Sequence, residues 1–476
     1  MPLSPFPRLL CVGLGALLAL LASCTERPAT GPGTALSNAA CPDCNVVLVS
    51  MDTVRADHLG CYGYSRDTSP SVDQLAASSA LFEQAVSQSP WTLPAHGSMM
   101  TGLEPRVLEV VRYPAMRRLP LSARMLAEEF KDAGYATGAF TGGGFVSAHF
   151  GFDRGFDVYQ ADGRRFEHNM DGAIDWLRLN QDRPFFLFLH GYNAHRPYYS
   201  TSADRRALGF GDISRRESKG FCGREKRERP ANLDAIVSLY DASVRGGDRH
   251  VGRFLDELDK LGLADKTVVL VTSDHGEEFF EHGNCDHVRF VYAEVVNVPW
   301  VLRVPGLTDH GPRIKEPVPA SISVPSTLLE LVGVEHSMPG PSLVGLLGTD
   351  AVDTASNWST GTPIYSEAST EAGKLGSRGP VIAERRGSQK LVRYTDEDSN
   401  EAYDLGVDPG ELNALPSRHG VYSWAAGLDE WAEAKQPIES KAPGRGNKAA
   451  RNNGEGSDDI PEELKQKLRD LGYVDP

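Results

Sequence analysis

The sequence predicts an α/β protein: a mostly parallel sheet flanked by helices, with a small C-terminal α+β subdomain. Three observations carry this. Apolar, β-branched runs of strand length alternate with helix-like stretches from residue 45 to about 335, the pattern of parallel strands joined by crossover helices. Two of those runs, Val46-Val47-Leu48-Val49 and Val268-Val269-Leu270-Val271, are apolar at consecutive positions, as in strands covered on both faces. Beyond about residue 336 the pattern gives way to short strand candidates such as 390–394. A chain of 476 residues has room for one large domain and a smaller one.

In order, Arg8 and the apolar stretch 9–22 form a targeting leader, too short for a membrane span. It closes on Leu21-Ala22-Ser23-Cys24, which resembles a bacterial lipobox. That resemblance implies cleavage before Cys24, lipidation of its thiol, and an exported lipoprotein on the periplasmic face of a membrane or the cell surface. An ordinary secretory signal with a chance cysteine is the alternative. Residues 24–44, rich in Pro, Gly, Ser and Thr, read as a tether. Cys41 and Cys44 lie close enough for a local disulfide; the pairing of Cys61, Cys222 and Cys285 stays open. Strands are expected at 46–50, 136–140, 185–190, 267–272 and 298–304. A helix is expected over 122–131, stopped by Gly134, and a long amphipathic one over 232–261, broken at Gly246-Gly247. The charged segment 201–230 reads as an exposed loop or insertion over the site. The expected organisation is a leader (1–23), a tether (24–44), the main domain (45–335), the C-terminal subdomain (336–432), and a disordered linker with a short docking helix (433–476). That helix opens at Pro461 and presents Leu464, Leu468 and Leu471 on one side.

The net charge of −15 at pH 7 argues against a nucleic-acid binder, which needs a basic face. Chemistry concentrates where strands end. Asp52 follows the first apolar run, Asp274 and His275 follow the fourth, and Thr92 stands just ahead of Pro94 at a helix start. Ligands of open α/β sheets bind beyond the carboxyl ends of the strands. Asp52, Thr92, Asp274 and His275 are therefore a candidate cage for one divalent ion. Its mixed imidazole and oxygen donors favour Zn²⁺ or Mn²⁺, with Mg²⁺ or Ca²⁺ as alternatives. Thr92 reads as a nucleophile activated there, with free helix N–H groups for an anionic substrate. The competing role is a helix N-cap.

Five ordered segments carry a resemblance. They are Met51-Asp52-Thr53-Val54-Arg55-Ala56-Asp57-His58-Leu59-Gly60; the Thr92 segment ending in Thr101-Gly102; His190 to Pro197; Ser273-Asp274-His275-Gly276-Glu277 with Glu281-His282-Gly283; and Tyr403-Asp404-Leu405 with Asp408-Pro409 and Glu411. Over roughly residues 45–415 the chain resembles the sulfatase family of the alkaline phosphatase superfamily. The resemblance implies that fold and metal-dependent hydrolysis of sulfate or phosphate esters of a small molecule, glycan or lipid headgroup. It also implies roles for His195, which matches a substrate-facing histidine, and for His282 and His287, which would protonate the leaving oxygen, bind substrate oxygens or hold a second metal. With Thr92 and His96 these form the candidate catalytic set, while His190 is expected to end a buried strand. One departure stands out. The family places a Cys or Ser, converted to formylglycine, where this chain has Thr92, and an arginine where it has His96. Thr53 likewise replaces a carboxylate ligand. A threonine nucleophile resembles the phosphodiesterase and phosphoethanolamine-transferase branches, so phosphate mono- or diesters are favoured. The alternatives are a phosphoethanolamine-type headgroup transferase, which usually carries several membrane spans, and a non-catalytic glycan-binding protein.

Overall fold

A computed structural model describes residues 40–113, 116–161, 163, 165–211, 229–307, 311–348, 361–370, 377–435, 460–471 and 473. The leader with Cys24, tether residues 24–39, Cys222 and residues 436–459 lie outside the described residues. Among the described residues, no helix is long and apolar enough to cross a membrane.

Eight strands form the central sheet: β1 (Asn45–Met51), β2 (Ala80–Phe82), β3 (Ala136–Phe140), β4 (Val158–Gln160), β5 (Phe185–Gly191), β6 (Thr267–Thr272), β7 (Trp300–Arg303) and β8 (Arg313–Ile314). Their order is β8-β2-β7-β6-β1-β5-β3-β4. The five strands from β6 to β4 are parallel. β1, β5 and β6 are buried along their whole length, which accounts for their unbroken apolar runs. The expected strand at 298–304 divides at Pro299, which has no N–H to give a ladder. Its second part, β7, runs antiparallel to β6.

Two helix expectations are corrected. The helix expected over 122–131 is Leu126–Asp132, because the extended Met125 gives its N–H to the Glu128 carboxylate and sets the start there. The long helix Leu233–Lys260 is unbroken at Gly246-Gly247. A Cβ on Gly247 would lie 3.2 Å from Met51 and 3.4 Å from Asn193, so these glycines serve close packing beside the strand ends. The segment read as a loop from 201 opens with a helix, Ser202–Ala207.

The C-terminal sheet contains Ile364–Thr370, Val381–Arg386, Gln389–Tyr394 and Ser399–Asp404, all antiparallel. Arg112–Tyr113, from the main domain's stretch of chain, completes it by pairing parallel with Ser369 and Thr370. Cys41 and Cys44 form the expected disulfide just ahead of β1. The terminal helix, Glu462–Asp470, docks through Leu464 and Leu468, and Ile460, Leu471 and Tyr473 join the same core. Each fully buried aliphatic side chain is worth about 1.5–3 kcal/mol relative to leaving it exposed.

Candidate active site

The parallel register sets the site. Ser50 of β1 lies level with His190 on β5 and Thr272 on β6, so the residues just beyond those ends converge. Asp52, Asp274 and His275 are fully buried, and one ligand atom from each lies within 4.8 Å of the others. Thr53 binds the two carboxylates together: its N–H donates to Asp274 Oδ1 (3.1 Å) and its hydroxyl to Asp52 Oδ1 (2.6 Å). It does so at φ 65°, a left-handed conformation that costs a β-branched residue energy. The Tyr240 hydroxyl, donating to the Thr53 carbonyl at 2.9 Å, helps to hold it.

The surrounding hydrogen bonds decide which atoms are open. His190 Nδ1 accepts from Gly142 N–H, so its Nε2–H donates to Asp52 Oδ2 at 3.1 Å. His190 thus ends a buried strand and also orients Asp52. His275 donates Nδ1–H to the Gly276 carbonyl (2.9 Å). Its Nε2 lone pair therefore faces Asp274 Oδ2 at 3.3 Å and Thr92 Oγ1 at 3.4 Å. Burial pushes the His275 pKa down to about 4, so the ring is neutral. Asp274 Oδ2 is buried without a hydrogen-bond partner.

Burial and the Asp274 carboxylate push Asp52 well above the usual carboxylate range. Burial opposes the Asp274 charge, yet His275 and His96 hold that carboxyl well below the usual range. Such a pair needs either a shared proton or a cation. An orphaned carboxylate oxygen, a second carboxylate and an open imidazole nitrogen fit a divalent ion.

Thr92 opens the helix Thr92–Thr101, and the extended residue before it, Trp91, occupies the cap position. Thr92 is therefore the first helical residue and its hydroxyl is not a cap. One turn on, His96 donates Nδ1–H to the Thr92 carbonyl (3.0 Å), while Nε2 accepts from Ser50 Oγ (2.9 Å). His96 Nδ1 also lies 3.3 Å from Asp274 Oδ2, so the ring braces the Thr92 helix against β1 and borders the carboxylate pair. With Asp52 and His190 it also forms a group that could hold a metal ion.

His195 and His287 do face Thr92, and they differ in charge. His195 donates Nδ1–H to the Arg196 carbonyl (2.7 Å), and burial holds its pKa well below the ordinary value, leaving Nε2 as an acceptor. For His287, burial disfavours charge, but Asp286 and Glu277, each 3.0 Å from Nδ1, push its pKa up to about 10. His287 is an imidazolium with Nε2–H directed at the site. Asp286 is held in turn by Arg196 at 2.7 Å.

Between the two rings lies the hydroxyl of Tyr473, 2.8 Å from Thr92 Oγ1, 2.8 Å from His195 Nε2 and 3.0 Å from His287 Nε2. Sequence reasoning missed this residue. The spacing of Leu464, Leu468 and Leu471 announced a docking helix, but nothing in it says where the next aromatic lands.

His282 is the correction to the catalytic set. It stacks on Tyr292, pairs through Nδ1 with Glu294 (2.7 Å) and donates Nε2–H to the Glu411 carbonyl (3.0 Å). It bridges the main domain to the C-terminal segment with no nitrogen left for substrate. Burial works against its charge, but Glu294 pushes the pKa up to about 9. A folded pKa above the unfolded value near 6.5 means this contribution is complete below pH 6.5 and lost as pH rises through 9. His282→Gln is expected to cost about 2–3 kcal/mol at pH 6, with the gap to wild type narrowing by pH 9.5 in urea denaturation. A gap independent of pH would make the residue a packing element only.

Comparison with known proteins agrees with this architecture. The sulfatase family model matches residues 44–334, and the N-sulphoglucosamine sulphohydrolase C-terminal model matches 280–430. An endo-4-O-sulfatase of Bacteroides thetaiotaomicron is 25% identical over 369 residues, 62% of this chain and 70% of that protein. Human iduronate 2-sulfatase is 26% identical over 341 residues, 57% of this chain and 62% of its own. A solved enzyme in complex with its substrate D-glucosamine-2-N,6-O-disulfate superposes with TM-score 0.66 at 18% identity, covering 91% of this chain and 99% of that one. The phosphonate monoester hydrolase of Agrobacterium radiobacter superposes with TM-score 0.62 at 19% identity, covering 82% and 94%. With the family model spanning more than half of its length, the chain belongs to the sulfatase family and is a hydrolase acting on sulfuric or phosphoric ester bonds.

Proposed function

We propose that Thr92 is the covalent nucleophile of this hydrolase, and that phosphate mono- or diesters turn over faster than sulfate esters. The observation that supports this best is the placement of Thr92 Oγ1, free of any capping role and facing the open Nε2 of His275. Asp52, Asp274 and His275 would hold a divalent ion, which when bound would acidify the adjacent hydroxyl and offset substrate charge. Zn²⁺ or Mn²⁺ suits that donor set best. Thr92 Oγ1 then attacks phosphorus or sulfur as its proton passes to water, and the bond to the leaving oxygen breaks as His287 supplies its Nε2 proton. His195 accepts a hydrogen bond from the same group. Water releases the acid from Thr92 in a second displacement.

The preference for phosphate rests on the side chain itself. A formylglycine hydrate has a second hydroxyl that expels sulfate by collapsing to the aldehyde; threonine has none. A Thr-sulfate intermediate would have to be cleared by direct water attack. One structural neighbour is solved with its substrate D-glucosamine-2-N,6-O-disulfate and another is a phosphonate monoester hydrolase, and a sulfated or phosphorylated glycan, small molecule or lipid headgroup is the substrate class proposed. The test is a panel of aryl sulfate, phosphate monoester, phosphodiester and phosphonate ester with added metals. Phosphate esters are expected to lead. A sulfate ester that outpaces all of them and depends on Thr92 would overturn the preference and keep the nucleophile.

A further inference from the structure

The hydroxyl of Tyr473 stands where a substrate must stand. Attack requires the electrophilic atom to approach Oγ1 to about 3–3.5 Å, with its oxygens on the surrounding donors. Tyr473 already places an oxygen 2.8 Å from Oγ1 and bridges both histidines. The hydrogen bonds are consistent in one sense: His287 Nε2–H and the Thr92 hydroxyl donate to the phenolic oxygen, and the phenol donates to His195 Nε2. An ester oxygen would use the same donors. Thr92 is 0%, His195 3%, His287 3% and Tyr473 7% exposed, so the nucleophile has no open face while the tail is seated.

The seat is built by the main domain. The Tyr473 ring packs edge-on against Phe145 with centroids 4.6 Å apart, and its carbonyl accepts from the Tyr113 hydroxyl. Gly144, at φ +60°, leaves room for Leu471, whose Cδ1 would lie 3.0 Å from a Cβ at that position. Leu468, fully buried, anchors the helix. The ion pairs Arg469–Glu462 and Lys467–Glu463 tie the helix to itself.

We infer that the C-terminal segment from Ile460 to Tyr473 is an autoinhibitory plug that seats a tyrosine hydroxyl on the nucleophile and that substrate must displace. This inference rests on the reading of Thr92 as nucleophile, and its test is separable from that reading. Apparent affinity falls by the fraction of molecules that are open, so a plug seated about 99% of the time costs about a hundredfold.

Inorganic phosphate is the probe, titrated by calorimetry into the metal-supplemented full chain, Tyr473→Ala, and Leu468→Asp, which undocks the tail without touching the site. Circular dichroism melts check that each variant is folded. Both substitutions are expected to tighten phosphate binding about tenfold to a hundredfold and to lower KM on whichever ester turns over. Phosphate binding that Tyr473→Ala leaves unchanged or weakens would overturn the plug, as would a fall in kcat without tighter binding. Tighter binding in a Thr92→Ala background, with no ester hydrolysed by any form, would keep the plug and sink the hydrolytic reading instead.

Discussion

Thr92→Ala is expected to lower turnover by about four orders of magnitude or more, the scale on which loss of a covalent nucleophile is felt. Four orders correspond to about 5.4 kcal/mol of barrier. The same substitution should barely move the melting temperature. A helix cap replaced by alanine costs roughly 0.5–2 kcal/mol, but Thr92 sits inside the helix behind Trp91 and gives no capping bond. Turnover and a thermal melt on the same preparation separate the two roles. Near-normal turnover with a lowered melting point would return Thr92 to a structural part. Thr92→Ser keeps the hydroxyl and should recover a measurable share of the rate.

Asp274→Asn should abolish metal binding and the activity that depends on it, yet leave the metal-free protein at least as stable. The reason lies in the buried pair. Burial and the Asp274 charge push Asp52 up, and Asp274 Oδ2 accepts no hydrogen bond. Removing that charge relieves the repulsion and removes the ligand together. A ligand at a hundred times its Kd stabilises a fold by about 2.7 kcal/mol. Zn²⁺ or Mn²⁺ should therefore raise the melting temperature of the wild type and leave that of Asp274→Asn unchanged, with metal content following the same pattern. A wild type whose stability and content ignore every divalent ion would remove the cage from the mechanism.

Much of this was legible in the sequence because the information is local. A run such as Val46–Val49 declares a doubly covered strand, and the polar residue past its end must then lie at the sheet's edge. That logic placed Asp52, Asp274 and His275 together without any fold in hand. The register of β1 against both neighbours is what makes it work. Prediction failed where a residue's partners come from elsewhere in the chain. His282 sits in the motif stretch, yet its nitrogens go to Glu294 and to the backbone of Glu411. His96 replaces a family arginine, and only the packing of its helix on β1 shows that Ser50 holds it. Gly246-Gly247 carries a breaker's composition inside a helix whose long apolar face overrides it. Tyr473 was the hardest case, since no periodicity encodes a contact with a residue 381 positions earlier.

That separation also orders events during synthesis. The strand ends that gather Asp52 and Thr92 are made early, whereas Tyr473 follows Thr92 by 381 positions. The edge segment Arg112–Tyr113 likewise waits for Ser369 and Thr370 before its sheet is complete. Long-range closures of this kind slow folding more than they weaken the finished fold. While the residues between them are being made, the Thr92 hydroxyl lacks its cover, and Tyr473 closes over it only afterwards.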